Sequence, residues 1–259
     1  MKFFDTHAHC DDKRFIEEYP GGTDGVITDC LGSNVSYIIN IGTDLKNSRV
    51  SLELADKYEN VYASCGIHPS EVFYEDADQA IAEIEEMLKH KKAVALGEIG
   101  LDYHYEDIPK ELQMIYFEKQ MALAERLNIP VIIHDRDAHG DCIDMIRKFP
   151  SVKGVFHSFS GSPEMAQELN RLGWYVSFSG TVTFKNAKKP KEAAAIADID
   201  KLLIETDAPY LAPTPHRGQL NCSSYVQLTA EEIARLRGVD IAEIEKITTE
   251  NAKRLFGIK

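Results

Sequence analysis

Short, nearly continuous apolar runs recur along the chain, each followed by a longer stretch with apolar residues at helical spacing. The runs are Lys2–Asp5, Ser36–Ile41, Val61–Cys65, Ala93–Leu96, Pro130–Ile133, Gly154–Phe156, Trp174–Ser177 and Lys201–Ile204. So short a run without polar alternation is the mark of a strand covered on both faces. The spacing predicts helices over Asp44–Tyr58 (Leu45, Val50, Leu52, Leu54), Ala77–His90 (Ile81, Ile84, Met87, Leu88) and Lys110–Leu127 (Leu112, Ile115, Tyr116, Met121, Leu123). Pro109 suits the first turn of the last of these, and Ser162 with Pro163 forms a cap and first turn. Thr229 with Glu232, and Asp240 with Glu243, have capping-box spacing. Phe15–Ser33 is the poorest helical segment, interrupted by Pro20, Gly21, Gly22 and Gly25.

Strands that alternate with helices form a parallel sheet, and eight of them favour closure into a (β/α)8 TIM barrel. No linker or repeat divides the 259 residues, so residues 1–259 are read as one domain. The formal charge of −13 argues against a protein that coats nucleic acid through a basic face, but not against an enzyme that meets phosphate through metal ions. Cys10, Cys30, Cys65, Cys142 and Cys222 are odd in number and lack CxxC spacing, which fits reduced thiols in a cytosol. The start MKFFDTHAHC turns polar by Asp5 and carries no signal-peptide core, and no apolar run could span a membrane. A cytoplasmic location is expected, with no obligate protein partner and a monomeric state.

Eight of the nine histidines lie at the end of a strand-like run or in the loop after it: His7, His9, His68, His104, His134, His139, His157 and His216. In an α/β barrel that is the face where active sites sit. One such histidine means little; the shared placement points to a site. His7 and His9 are two apart in extended chain, so both imidazoles can face one ion, with small Ala8 between them. Glu98 follows the apolar Ala93–Leu96 run; its two oxygens suit it to bridge two ions. His134 and His157 each close a strand. Asp207 follows the eighth strand, which adjoins the first in a closed barrel and so lies close to His7 and His9.

At these residues the chain resembles the TatD family of metal-dependent nucleases, within the wider amidohydrolase-like barrels. The resemblance runs nearly the whole length and is carried, in order, by DTHAH (5–9), GIHP (66–69), GEIGLD (97–102), IHDR (133–136), HSFSG (157–161) and ETDAP (205–209). It implies that His7, His9, Glu98 and Asp207 hold one divalent ion and that Glu98, His134 and His157 hold a second. Glu98 stands where many related amidohydrolases use a carboxylated lysine, which favours the TatD branch. After Asn221, where the family usually continues with an acidic residue and proline, this chain has Cys222 and Ser223.

Two ions can lower the pKa of a water, orient it and neutralise phosphate. Asp207 then takes the water's proton and passes it to the leaving oxygen, so Asp207 and Glu98 are the expected catalytic carboxylates. The histidines favour zinc, manganese or iron; the resemblance implies magnesium support, leaving Mg, Mn or Zn for the two ions. Arg136 and Arg217 are candidates for phosphate, and His68, His104, Tyr210 and Asn221 for other substrate contacts. The resemblance implies a 3′-to-5′ exonuclease on single-stranded DNA or RNA ends. An amidohydrolase acting on a cyclic amide or ester, a deacylase of D-aminoacyl-tRNA and a non-catalytic scaffold are the alternatives. The six ligands argue against the last.

Overall fold

The computed structural model describes all residues, Met1–Lys259. Eight strands are present: β1 (Phe3–Ala8), β2 (Val35–Asn40), β3 (Val61–Cys65), β4 (Ala93–Asp102), β5 (Val131–Arg136), β6 (Gly154–Phe156), β7 (Tyr175–Phe178) and β8 (Leu202–Ile204). Ten helices join or follow them: α1 (Lys13–Glu18), α2 (Gly22–Gly32), α3 (Leu45–Lys57), α4 (Ala77–Met87), α5 (Lys110–Leu127), α6 (His139–Lys148), α7 (Pro163–Arg171), α8 (Lys188–Ile196), α9 (Val226–Arg237) and α10 (Ile241–Phe256). The sheet order is β1 to β8 in sequence, the pairings are parallel, and a parallel bridge joins Ala8 to Ala208. This is the (β/α)8 class that the alternation predicts. No helix is long and apolar enough to cross a membrane.

Two compact units make up the chain: Met1–Asn40 with His157–Lys259, and Ile41–Phe156. In the first, β1 is buried along its whole length and pairs with β2, β7 pairs with β8, and α10 packs on β1 and β8. Phe3, Phe4, Ile38, Val176 and Leu203 fill the interior of that unit. In the second, β3 to β6 pair in series, with α3 on β3 and α5 on β4.

Four local departures from the sequence reading have physical causes. Phe15–Ser33 forms two helices instead of one: Gly21, left-handed at φ 78°, turns the chain between α1 and α2. Strand β4 does not stop at Leu96 but continues to Asp102, so Glu98 lies within a strand. Thr229 is buried inside α9 and caps nothing, whereas Asp240 and Ser162 do cap α10 and α7. On α5, Ile115 is exposed while Gln113 and Gln120 are fully buried. Gln113 accepts from the Asp102 N–H (2.8 Å) and donates to the Asp102 carbonyl (2.9 Å). Gln120 does the same to Ile67, at 2.8 and 3.0 Å. The two glutamines are seven residues, or two helical turns, apart on one face. Each satisfies backbone groups at or just beyond a strand end, where no neighbouring strand does so.

Candidate metal centre

In the first unit the site is built on the end of β1 and the segment after β8. Buried Asp5 ties the two together, accepting from the backbone N–H (2.9 Å) and hydroxyl (2.6 Å) of Thr206. Burial pushes its carboxyl up to about 7, against the hydrogen bonds from Thr206 and the His7 N–H. Two main-chain bonds complete the register: the Asp207 N–H donates to the His7 carbonyl (2.9 Å) and the His9 N–H to the Ala208 carbonyl (2.7 Å). Asp207 itself is left-handed at φ 57°, a conformation that aspartate tolerates better than most residues and that turns its side chain toward the histidines. Its Oδ1 lies 3.6 Å from His7 Nε2 and 3.4 Å from His9 Nε2. Burial opposes ionisation of Asp207, but the His9 hydrogen bond and the nearby His7 and His157 imidazoles outweigh it and hold the carboxyl below its usual range.

His157 joins the same cluster. Its ring stacks on that of His7, centroids 3.9 Å apart and 9° from parallel. Behind it Glu205, almost wholly buried, lies 3.2 Å from His157 Nδ1 and accepts from the Ser158 N–H at 2.7 Å. A carboxylate on Nδ1 fixes the ring and leaves Nε2 for a ligand, as carboxylates do behind metal-bound histidines. Two donors, each ~2.1 Å from one ion at the tetrahedral angle, stand about 3.4 Å apart. The Asp207–His7 and Asp207–His9 separations match that spacing, so this donor set fits a divalent ion.

In the second unit the cluster stands on β4, β5 and the turn after β3. His134 Nδ1 is 2.7 Å from Glu98 Oε1, and its Nε2 is 3.1 Å from Asp102 Oδ2. His68 Nε2 lies 3.6 Å from the same Glu98 oxygen, and ligand atoms of His68, Glu98 and His134 all fall within 4.8 Å of one another. Glycines make the close strand packing possible: a Cβ on Gly100 (φ 137°) would run into the His134 carbonyl, and one on Gly97 would stand 2.7 Å from Ile132 Cβ. The Ser70 N–H donates to His68 Nδ1 (3.1 Å). Neutral His68 therefore carries its proton on Nε2, the nitrogen that faces Glu98, and acts there as a donor rather than a ligand. Burial opposes ionisation of Asp102, but the hydrogen bond and charge of His134, the His104 N–H and Arg136 bring its carboxyl below the usual range.

The residues expected to meet substrate are placed as follows. Arg136 is exposed, 3.9 Å from Asp102 and over the Tyr105 ring. His104 is exposed beside Asp137 and Tyr105. Tyr210 donates to Asp12 (2.5 Å) and meets the His9 ring edge-on. The Arg217 guanidinium lies 3.6 Å over the Phe184 ring. Asn221 is buried, its amide donating to the carbonyls of Thr206 (2.9 Å) and Tyr210 (2.6 Å) and accepting from the Cys222 N–H. It shapes the loop after β8 instead of presenting a polar group to solvent. Sequence reasoning gave no role to Asp5, Asp102 or Glu205. Their only trace is an acid closing or following an apolar run, which does not say what it backs.

A family model described as TatD related DNase matches residues 4–257. A protein of Bacillus subtilis, the uncharacterized metal-dependent hydrolase YabD, is 43% identical over 98% of this chain and 99% of its own. The uncharacterized metal-dependent hydrolase YcfH of Escherichia coli K12 is 37% identical over 100% and 97%. The crystal structure of YjjV, a TatD homolog from Escherichia coli K12, superposes with a TM-score of 0.90 at 30% identity, covering 99% of this chain and 98% of that one. With donor clusters of this chemistry and a match along almost its full length, the chain belongs to the TatD family of metal-dependent hydrolases.

Proposed function

We propose that this hydrolase cleaves phosphodiester bonds, removing nucleotides from the 3′ end of single-stranded DNA or RNA. The observation that carries the reading is the spacing of Asp207 from His7 and His9, that of ligands around a common ion. In the first unit the proposed ligands are His7, His9, His157 and Asp207; in the second, Glu98 and His134. Divalent ions held there, as Mg, Mn or Zn, would supply Lewis acidity, acidify a water and offset phosphate charge.

The protein's own groups supply the rest. Asp207, kept ionised among imidazoles, accepts the proton of the attacking water and returns it to the leaving oxygen. His68 offers an Nε2–H as a donor. Arg136, exposed at the end of β5, offers a guanidinium to phosphate. With an overall charge of −13 and few arginines at hand, binding engages only ~1–3 phosphates, and log affinity falls with log salt at a slope of roughly −1 to −2.

The test is digestion of 5′-labelled and 3′-labelled oligonucleotides by chelated protein, before and after addition of Mg, Mn or Zn. The expected result is metal-restored, stepwise shortening from the 3′ end. Cleavage that survives chelation, or release of an amino acid from D-aminoacyl-tRNA without chain shortening, would sink the reading.

A further inference from the structure

Cys30 and Cys222 have no part in the metal centre, yet the fold of the first unit brings them together. Cys30 is buried near the end of α2, and Cys222, partly exposed, directly follows the loop residue Asn221. The Cys222 thiol hydrogen-bonds the Cys30 sulfur, which also faces the Ser224 hydroxyl and the backbone N–H groups of Ser223 and Ser224. The surroundings are fixed: α2 packs on the turn Ser223–Tyr225, and just beyond α2 the Asn34 amide donates to the Ser224 carbonyl and Gln227, both at 3.0 Å. No cluster of metal-ligating groups includes either sulfur, so the pair is a dithiol and not a third metal site.

We propose that Cys30 and Cys222 are an oxidation site, which closes to a disulfide on exposure to a hydroperoxide and reopens with a thiol reductant. The hydrogen bond from Cys222, against the opposing effect of burial, brings the Cys30 thiol down to about 7, so a large share is thiolate at neutral pH. Cys10 and Cys142, by contrast, are held well above the usual thiol range by burial, and burial pushes Cys65 up to about 12. The thiolate sulfur attacks one peroxide oxygen. The O–O bond breaks, sulfenic acid forms, and hydroxide leaves and is protonated to water. The second thiol loses its proton and attacks the sulfenic sulfur; an S–S bond forms and the remaining oxygen leaves as water. Two thiols lose two electrons, and one peroxide becomes two waters.

The position gives this bond a structural consequence. Asn221, the residue before Cys222, ties down the carbonyls of Thr206 and Tyr210 on either side of Asp207. A covalent link from Cys222 to α2 anchors that clamp and the exposed loop containing Arg217.

The test begins with the reduced full-length protein and hydrogen peroxide near neutral pH, followed by alkylation under denaturing conditions and peptide mapping. The expected result is loss of two of the five thiols, a single cross-linked pair containing Cys30 and Cys222 about 2 Da lighter than the two thiol peptides, and full return with dithiothreitol. Five thiols after treatment, a link to Cys10, or over-oxidation of Cys222 beside an intact Cys30 thiol would overturn the proposal. Oxidation should also slow tryptic cleavage after Arg217 about fivefold or more in the native protein and leave the rate unchanged in Cys30→Ser. An equal slowing in Cys30→Ser would show that another oxidation is responsible.

Discussion

In the first unit the Asp207 oxygen stands 3.4 and 3.6 Å from two imidazole nitrogens, too far for a strong N–H···O bond. In the second, His134 sets its two nitrogens 2.7 and 3.1 Å from carboxylates. Both sets use histidine and acid on strands or at strand ends, but they are held differently. The first is braced from behind, by Glu205 on His157 and by Asp5 on the backbone of Thr206, so its donors keep ligand spacing. The second is braced by its own members, and an ion taking His134 must displace a contact already made. Position along the chain brings donors together; backing groups decide whether they stand ready for a metal. The donors of the first unit should therefore take up an ion more tightly than those of the second.

The largest effect that can break this comparison is catalytic. Asp207→Asn should lower kcat by about 10²–10⁴ with bound metal retained, because an amide cannot take the proton. Asp102→Asn, which removes a partner of His134, should cost only about 10–100-fold, and through metal affinity. Oligonucleotide kinetics with elemental analysis would read both, and equal losses with equal metal content would erase the distinction between the two sets.

The next effect is on stability without metal, and its sign differs between the units. Folded Asp5 keeps its proton up to about 7, whereas the unfolded chain gives it up near 3.8. Between those values the folded state binds more protons, so stability falls as pH rises from about 4 to 7, by up to ~4 kcal/mol, and then levels off. Asp102 works the other way: its depressed carboxyl contributes stability above 3.8 that is lost as pH falls through the folded value. In chelated protein Asp5→Asn should flatten the decline between pH 4 and 7, and Asp102→Asn should remove the acid-side loss. Denaturant melts across pH that leave the Asp5→Asn slope equal to wild type would show that Asp5 is not buried as an acid.

A smaller effect tests the brace itself. Glu205→Gln keeps every proposed ligand but weakens the group behind His157, and should reduce metal affinity about 10–100-fold while Asp207 remains in place. An unchanged titration with a divalent ion would make Glu205 a packing residue only.

Much of this was legible in the sequence. Continuous apolar runs marked the strands, and the histidines after them marked one face, because burial on both sides and strand-end placement leave local traces. Glu98 was found, but β4 was cut short at Leu96, since Gly97 and Gly100 look like breakers until the proximity of Ile132 and His134 explains them. Asp5, Asp102 and Glu205 went unassigned for a different reason: what they do depends on a partner many residues away. The single-helix reading of Phe15–Ser33 failed at Gly21, whose left-handed turn is a backbone property. The apolar stripe drawn on α5 failed at Ile115, because hydropathy does not anticipate a buried glutamine.

Those glutamines govern how the second unit opens. The N–H and C=O groups of Ile67 and Asp102 are held by side chains of α5, so neither residue's amide can reach deuterated solvent while the helix is docked. The two amides, distant in sequence, should exchange in step, at the rate at which α5 lifts from the sheet. Replacing Gln120 with leucine would let Ile67 exchange alone and strand its buried backbone groups at a cost of ~1–3 kcal/mol. The turn that carries His68 would then loosen while Asp102 kept its protection.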